Sequence, residues 1–285
     1  MTRHWQPITG GKDASANGKI MLRERVITAL LILPLLAAVV WFDEPLPWLT
    51  LFIAVWGGLA VIEFYRIVAS QRVSPLVYFG LVWTLLFIIS PHFDFALTTP
   101  LLLTSLVILP LIWLLRPARE DTFDRWVWTA AGVLYVGWLL SHFVALRGLD
   151  FGREWVFFAL FTTFASDSAA FFIGRAWGRH RLAPGISPHK TWEGAAAGVL
   201  AAIALSPLLV WLFNLPIGYG QVVLLALAVS VFGQLGDLIE SLFKRNMAVK
   251  DSGRVMPGHG GFLDRMDSVV FAGVVVYYYV IWFVQ

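Results

Sequence analysis

Acidic and basic side chains recur at helical spacing near residue 240. Four polar residues occupy positions i, i+3, i+4 and i+7 and therefore share one helix face: Asp237, Glu240, Ser241 and Lys244. Intrahelical salt bridges would account for Glu240 and Lys244. They would not account for Asp237, which lies a turn deeper in an apolar run. The stripe therefore indicates a site rather than a solvated helix end.

The segment that follows, residues 246–268, combines glycines, basic residues and aspartates. Asp264 and Asp267 lie one turn apart, and Gly260 and Gly261 let backbone amides approach a ligand. Positive charge comes from three further residues, Lys250, Arg254 and Arg265. In sites of this composition carboxylates hold a divalent metal, the metal bridges phosphate oxygens, and bases neutralise the remaining charge. The pattern predicts a site for a magnesium-bound polyphosphate.

A second polar segment, residues 179–194, has a similar chemical mix. Pro188 stops a helix, Thr191 is suited to cap the next one, and Glu193 falls in its first turn. Lys190 precedes that helix amino terminus, which is a favourable place for anions. Taken alone, this is the pattern of a capped helix start. The functional interpretation depends on its lying on the same membrane side as residues 246–268.

Asp167 lies in the middle of an apolar run, where a carboxylate costs several kcal/mol unless it is paired, protonated or wet. Such acids mark functional sites more often than not, although a structural partner on a neighbouring helix is the alternative. Gly174 and Gly178, in the same run, are spaced for close helix packing.

The elements that must position these residues are membrane helices. Of 285 residues, 59% are hydrophobic and 14% charged, and the mean hydropathy is +0.75. A soluble domain carries about 25% charged residues, so an ordinary soluble protein is excluded, and the absence of cysteine excludes disulfides and thiolate chemistry. Nine apolar runs are predicted to cross a bilayer: 26–42, 46–69, 75–90, 95–115, 126–146, 154–177, 192–213, 221–243 and 268–284.

Orientation follows from the basic residues. With the amino terminus inside, Arg147 and Arg153 are the only two of 21 Lys and Arg on the outer side. The prediction is an all-α polytopic membrane protein with a cytoplasmic amino terminus and an outer carboxyl terminus. The net charge of +3 then reflects topology and anionic lipid headgroups, not nucleic-acid binding.

The chain divides into two parts by composition. Residues 1–20 are predicted to be a polar, disordered and dispensable tail, and residues 21–285 a single integral membrane domain with its active-site region at about 164–268. The first five spans carry little chemistry. Their one deep acid, Glu63, is expected to pair with Arg66, one turn away.

At this point the sequence resembles a known family. The strings Ser241-Leu-Phe-Lys244-Arg245, Lys250-Asp251-Ser-Gly253 and Pro257-Gly258-His259-Gly260-Gly261-Phe-Leu-Asp264-Arg265-Met-Asp267 closely resemble the signature of phosphatidate cytidylyltransferases (CDP-diacylglycerol synthases). Ser187-Pro-His-Lys190-Thr-Trp-Glu193-Gly194 and Asp167 with Gly174-Arg175 also look like family landmarks. Three positions depart from the pattern: Phe171, His189 and Met256, where Tyr, Lys and Leu or Ile are more common.

The resemblance implies transfer of CMP from CTP to phosphatidate, giving CDP-diacylglycerol and pyrophosphate for phospholipid biosynthesis. It also implies a magnesium ion, with a second metal ion as an alternative, and a multi-pass enzyme in the bacterial inner membrane among bilayer lipids; a homodimer is a further hypothesis. The metal ligands would be Asp237 and Asp264, then Asp167 and Asp267. The catalytic set would be Asp237, Asp264, Lys244, Arg265 and Asp167. Substrate binding would involve Ser187, Lys190, Glu193, Ser241, Arg245, Lys250, Asp251, His259, Gly260 and Gly261.

Two other functions fit the same residues. An ion-coupled secondary transporter would also need Asp167 and Asp237 inside the membrane, but it would not concentrate bases and glycines on one side. A nucleotidyltransferase acting on another lipid phosphate would use the same nucleotide site.

Overall fold

The structure, a computed structural model, describes residues 30–42, 46–71, 73–114, 122–253 and 260–285. Within them the chain forms helices joined by short connections. The helices are α1 (Leu30–Trp41), α2 (Trp48–Ala69), α3 (Val77–Ile89), α4 (Phe95–Leu114), α5 (Thr122–Arg147), α6 (Gly152–Trp177), α7 (Trp192–Phe213), α8 (Tyr219–Asn246) and α9 (Val269–Phe283). Two strands, β1 (Arg181–Ala183) and β2 (Ser187–Thr191), lie between α6 and α7.

Helix length and apolarity identify a multi-pass membrane protein. Five helices, α2, α5, α6, α7 and α8, are long and apolar enough to cross a bilayer, and α1, α3, α4 and α9 are shorter apolar helices. Each predicted apolar run coincides with one of these helices to within four residues at its described ends. The mostly helical membrane fold is therefore confirmed, while the number of nine crossings and the placement of the termini stay predictions. The predicted tail, residues 1–20, lies outside the described residues.

The prediction of an all-α protein is wrong at one place. Strands β1 and β2 pair antiparallel, with Arg181 opposite Thr191 and Ala183 opposite Ser187. The amide of Ile186 donates to the carbonyl of Ala183 across a Pro-Gly pair, at a distance of 3.1 Å. A proline followed by a glycine is a strong turn signal, and Pro188 keeps the second arm extended. The polar segment 179–194, interpreted from the sequence as a capped helix start, therefore also contains a short hairpin.

The helix that follows the hairpin begins as predicted. Thr191 is its N-cap, and its Oγ1 accepts a hydrogen bond from the amide of Gly194 at 3.2 Å. Gly194 packs directly on Gly174 of α6, where a Cβ on Gly174 would lie 3.4 Å from the Cα of Gly194. The predicted close packing at Gly174 is therefore confirmed. It brings α6, the hairpin and α7 together at one end of the bundle.

The core lies where α2, α5, α6, α8 and α9 meet. Fully buried side chains from each of them share one cluster, among them Val61, Leu146, Trp155, Val229 and Val276. Many other apolar side chains remain exposed, as is required for helices that face lipid rather than water. The packed helices leave their polar side chains at the end where α6 and α8 approach the segment 260–268.

Candidate active site

A polar cavity of about 870 Å³ lies between α6, the hairpin, α7, α8 and the segment preceding α9. Its walls include six of the residues that sequence reasoning predicted for the site: Asp167, Lys190, Asp237, Asp264, Arg265 and Asp267. These residues come from four separate elements, spread over a hundred positions of the chain. The structure therefore brings the two polar segments and the intramembrane aspartates into one space.

Of the polar stripe of α8, Asp237 lines this space. Ser241 Oγ donates to Asp237 Oδ1 at 3.3 Å, and Lys244 Nζ lies 3.0 Å from Glu240 Oε1. The spacing argument is thus confirmed, since the four residues lie on one face. The pairing of Glu240 with Lys244 is also present. Asp237 takes a different partner.

That partner is Lys190 at the end of β2. Lys190 Nζ lies 2.6 Å from Asp237 Oδ2, and both side chains remain partly exposed within the cavity. The ion pair joins the hairpin to α8, two elements that are distant in sequence. It places a cation beside the acidic end of the cavity.

Asp264 is the most heavily hydrogen-bonded carboxylate of the site. Its Oδ1 lies 2.6 Å from Lys244 Nζ, while its Oδ2 accepts from the amides of Ser252 and Gly261 and from Ser252 Oγ, each at 2.9 Å. Burial by itself would raise the pKa of Asp264. The hydrogen bonds from Lys244 and from the two amides outweigh burial, so the pKa of Asp264 lies below its ordinary value. This carboxylate therefore stays ionised and holds the loop around it.

Gly260 is required by that arrangement. Its φ of +85° is in the left-handed region, and a Cβ there would lie 2.7 Å from Asp264 Oδ2. We expect Gly260→Ala to destabilise the protein by about 1–3 kcal/mol, the usual cost of such strain, and to lower activity by displacing Asp264. Thermal unfolding and initial rates measure the two effects. Gly220→Ala is the matched control, because a Cβ at Gly220 meets nothing within 4 Å; equal effects in both variants would contradict this account.

Three carboxylates share the acidic end of the cavity. Burial, and then the facing carboxylates of Asp237 and Asp167, raise the pKa of Asp267 to about 7, although the amide of Ser268 donates to Asp267 Oδ1 at 2.8 Å. Like charges placed this close repel one another unless a cation or a proton lies between them. This end of the cavity is therefore suited to a bound cation.

In the part of the chain that the structure describes, no three His, Asp or Glu side chains are already grouped as a metal site. Magnesium commonly uses only one or two carboxylates, together with waters and substrate phosphates. The carboxylates of Asp167, Asp237 and Asp267 supply donors of that kind. The donor set thus fits a cation whose coordination is completed by a phosphate-bearing substrate.

Several predicted binding residues lie outside the cavity lining. Glu193 accepts hydrogen bonds from the amides of Arg179 and His180 and lies 2.6 Å from His180 Nδ1, so it ties the chain before β1 to the start of α7. Arg245 Nε donates to the carbonyl of Ile186 at 3.2 Å and holds the hairpin turn against α8. Also outside the lining are Ser187, within β2, Ser241, Gly260, Gly261 and the exposed Lys250 and Asp251. His259 lies outside the described residues.

Glu63 is the site residue whose partners sequence reasoning assigned wrongly. Among the described residues no ion pair joins Glu63 to Arg66. Instead Glu63 Oε2 accepts hydrogen bonds from Ser252 Oγ at 3.1 Å and from the amide of Leu263 at 3.0 Å. Arg181 and Gln234 line the cavity as well, although neither was among the predicted site residues. The intramembrane position of Glu63 was a signal, but its partners are some 190 residues away.

An apolar cavity of about 270 Å³ lies next to the polar one, between α1, α2, α5, α6 and the start of α9. Its walls are aliphatic and aromatic, including Leu36, Trp56, Phe143 and Leu160, with one charged side chain, Arg265. Arg265 lines both cavities. Arg265 therefore lies between an apolar space and a space rich in charge.

Fold and site together describe a helical membrane protein in which carboxylates and basic side chains share one polar cavity beside an apolar one. The sequence profile of the cytidylyltransferase family matches residues 23–283. The chain is 34% identical to a phosphatidate cytidylyltransferase of Bacillus subtilis (strain 168) over 266 residues, which cover 90% of this chain and 97% of that protein.

Other relatives match more strongly over a shorter stretch. Phosphatidate cytidylyltransferases of Brucella suis biovar 1 and Staphylococcus epidermidis are 46% and 45% identical over 151 and 140 residues, which cover 53% and 49% of this chain and 56% and 53% of those proteins. The chain belongs to the cytidylyltransferase family. It is a nucleotidyltransferase.

Proposed function

We propose that this protein transfers CMP from CTP to phosphatidate, giving CDP-diacylglycerol and pyrophosphate, at the cytoplasmic face of a bacterial inner membrane. One observation carries the proposal: four aspartates and four Lys or Arg side chains line one cavity, and one of those bases, Arg265, also lines an apolar cavity. The similarity to phosphatidate cytidylyltransferases supports the same reaction. The distribution of basic residues supports the cytoplasmic side.

The chemistry needs little from a general base. A phosphate oxygen of phosphatidate is already anionic near neutral pH; it forms a bond to the α-phosphorus of CTP while the bond to the bridging oxygen breaks and pyrophosphate leaves with that electron pair. Magnesium, when bound, would neutralise charge on the nucleotide phosphates. Asp167, Asp237, Asp264 and Asp267 are the residues that would hold it. A second metal ion stays an alternative.

The protein's own contribution is to position the reactants and to neutralise charge. Lys190 and Lys244 are held by Asp237 and Asp264 at 2.6 Å, so their ammonium groups are fixed before substrate arrives. Lys190, which lines the cavity, would contact a phosphate oxygen while Asp237 keeps it in place. Groups held in place this way need no reorganisation during the reaction.

Arg265 is suited to the lipid substrate. Since it lines both cavities, its guanidinium would bind the phosphate of phosphatidate while an acyl chain enters the apolar cavity from the bilayer. Leu33, half exposed, lies at the edge of that cavity and faces lipid. The acyl chains therefore stay in an apolar surrounding throughout the reaction.

We expect Arg265→Gln to raise the KM for phosphatidate about tenfold, because a hydrogen bond to a charged group contributes about 1.5–3 kcal/mol. The KM for CTP should change much less, and it serves as the internal control. Initial rates in mixed micelles, with each substrate varied in turn, measure both constants. An equal or larger rise for CTP would assign Arg265 to the nucleotide instead.

The proposed reaction is tested with purified protein, CTP, phosphatidate and magnesium, following both pyrophosphate and the lipid product. Pyrophosphate release equal to CDP-diacylglycerol formation is expected, and chelation of the metal should abolish both. Release of pyrophosphate without cytidylation of the lipid would refute the reaction. A clear preference for an isoprenoid phosphate over phosphatidate would keep the proposed nucleotide site but would assign a different lipid acceptor.

A further inference from the structure

We infer that Glu63 of α2 is a positioning residue for the proposed reaction: it holds the segment that carries Asp264 in place from the side opposite the cavity. The inference rests on the proposed function for its effect on turnover, but its geometry is independent of that function. Glu63 is 3% exposed and is not among the residues lining the polar cavity. It therefore acts through its neighbours rather than on substrate.

The contacts of Glu63 all lie on one segment of the chain. Its Oε2 accepts hydrogen bonds from Leu263 N at 3.0 Å and from Ser252 Oγ at 3.1 Å. These two residues flank Asp264 in the fold, one as its sequence neighbour and the other as a donor to Asp264 Oδ2. A change at Glu63 therefore affects two residues that adjoin or bind Asp264, the most heavily hydrogen-bonded carboxylate of the site.

Ser252 connects the two carboxylates directly. Its Oγ lies 3.1 Å from Glu63 Oε2 and 2.9 Å from Asp264 Oδ2. A hydroxyl has one hydrogen to donate, so both carboxylates draw on a single donor. The two acids therefore share Ser252, and losing either one changes how it binds the other.

Two glycines allow the backbone to lie close to the Glu63 carboxylate. A Cβ on Gly253 would lie 2.7 Å from Glu63 Oε1, and a Cβ on Gly261 would overlap Glu63 Oε2. Oε1 is buried and makes no hydrogen bond with any residue that the structure describes. Burying a carboxylate oxygen without a hydrogen bond costs free energy. Such a cost is expected where the carboxylate has a role that an apolar side chain could not fill.

Helix α2 holds the same segment at a second point. Trp56, seven positions before Glu63 and hence on the same helix face, donates from Nε1 to the carbonyl of Phe262 at 3.1 Å, and the two rings meet edge to face at 5.0 Å. Consecutive residues 262 and 263 are therefore both fixed by α2. Helix α2, one of the spans expected to carry little chemistry, therefore holds the segment that carries Asp264.

The test compares Glu63→Gln, which keeps the shape and removes the charge, with Ser252→Ala and with the double variant. We expect Glu63→Gln to lower kcat about tenfold or more, the usual loss for an outer-shell partner of a ligating carboxylate. The effects of Glu63→Gln and Ser252→Ala should multiply only in part in the double variant, because the two variants share the contact between Ser252 Oγ and Glu63 Oε2. Fully multiplying effects would overturn the inference.

A second measurement needs neither metal nor turnover. Hydrogen exchange of the metal-free protein in detergent should show faster exchange at residues 260–264 in Glu63→Gln, because the Leu263 amide loses an anionic acceptor. Glu154→Gln, an isosteric change at a carboxylate that pairs with Arg153, is the matched control and should change neither kcat nor exchange. Unchanged exchange, or wild-type kcat, in Glu63→Gln would overturn the inference.

Two further outcomes are also decisive. If Glu63→Gln fails to fold, Ser252→Ala removes the shared donor from the loop side and should lower kcat; a wild-type kcat there overturns the inference. If the wild-type protein does not cytidylate phosphatidate, the proposed function fails. The exchange measurement then still decides whether Glu63 holds the segment.

Discussion

Replacing Asp237 by Asn is expected to lower the rate of CDP-diacylglycerol formation by about 100-fold or more, the usual cost of losing one group that stabilises charge in a preorganised site. Two changes act together. The substitution removes one of the three carboxylates that share the acidic end of the cavity, and it removes the anionic partner of Lys190 at 2.6 Å. Initial rates of lipid cytidylation at saturating CTP and magnesium measure the effect.

The control for Asp237→Asn is Asp150→Asn, the same chemical change at an exposed position in the connection between α5 and α6. That variant should keep the wild-type rate. Thermal unfolding should show that Asp237→Asn remains folded, because Asn keeps the size of Asp237 and both side chains of the ion pair are partly exposed to the cavity. Substantial activity in Asp237→Asn would remove Asp237 from the proposed metal ligands.

Sequence reasoning found residues that the structure brings together in the polar cavity because their main signals are local. The positions of Asp237, Glu240, Ser241 and Lys244 on one face of α8 follow from the period of a helix, and their depth follows from the apolar residues around them. The cap at Thr191 is local in the same sense. In a chain with 14% charged residues, every charge inside an apolar run is conspicuous.

The partners of those charged residues depend on how the helices pack, and the sequence alone did not predict them. Nothing in the spacing of Lys190 or Lys244 tells which carboxylate each will meet, and the structure pairs them with Asp237 and Asp264. Glu63 was judged by its nearest neighbour in sequence, Arg66. Its actual contacts, Ser252 and Leu263, lie some 190 and 200 positions along the chain, a separation that no helical period can indicate.

The hairpin was missed for a different reason. Ala183-Pro-Gly-Ile186 contains a turn signal, but the flanking arms are short and polar and lack the alternation that marks a strand. The pairing is instead stabilised by its surroundings: Arg245 binds the carbonyl of Ile186 and Glu193 binds the amides before β1. Arg245 and Glu193, both predicted to bind substrate, therefore hold in place the hairpin that carries Lys190.

Asp264→Asn should differ from Asp237→Asn in what it does to the protein. It too is expected to lower turnover about 100-fold or more, since it removes a charge from the site. In addition, an Asn side chain has one acceptor oxygen, whereas Asp264 serves Lys244 with one oxygen and Ser252 and Gly261 with the other. Whichever way the amide is turned, its NH₂ group faces donors.

Asp264→Asn should therefore leave at least one buried donor unsatisfied, at a cost of about 1–3 kcal/mol. We expect a lower unfolding temperature and faster hydrogen exchange at residues 260–264, neither of which should occur in Asp237→Asn. Exchange and unfolding are measured on both variants without metal, and rates with it. If Asp264→Asn lost activity while the segment stayed as protected as in the wild type, Asp264 would act on substrate or metal alone and would not organise the loop. If Asp264→Asn kept activity, Asp264 would be neither a catalytic residue nor a metal ligand.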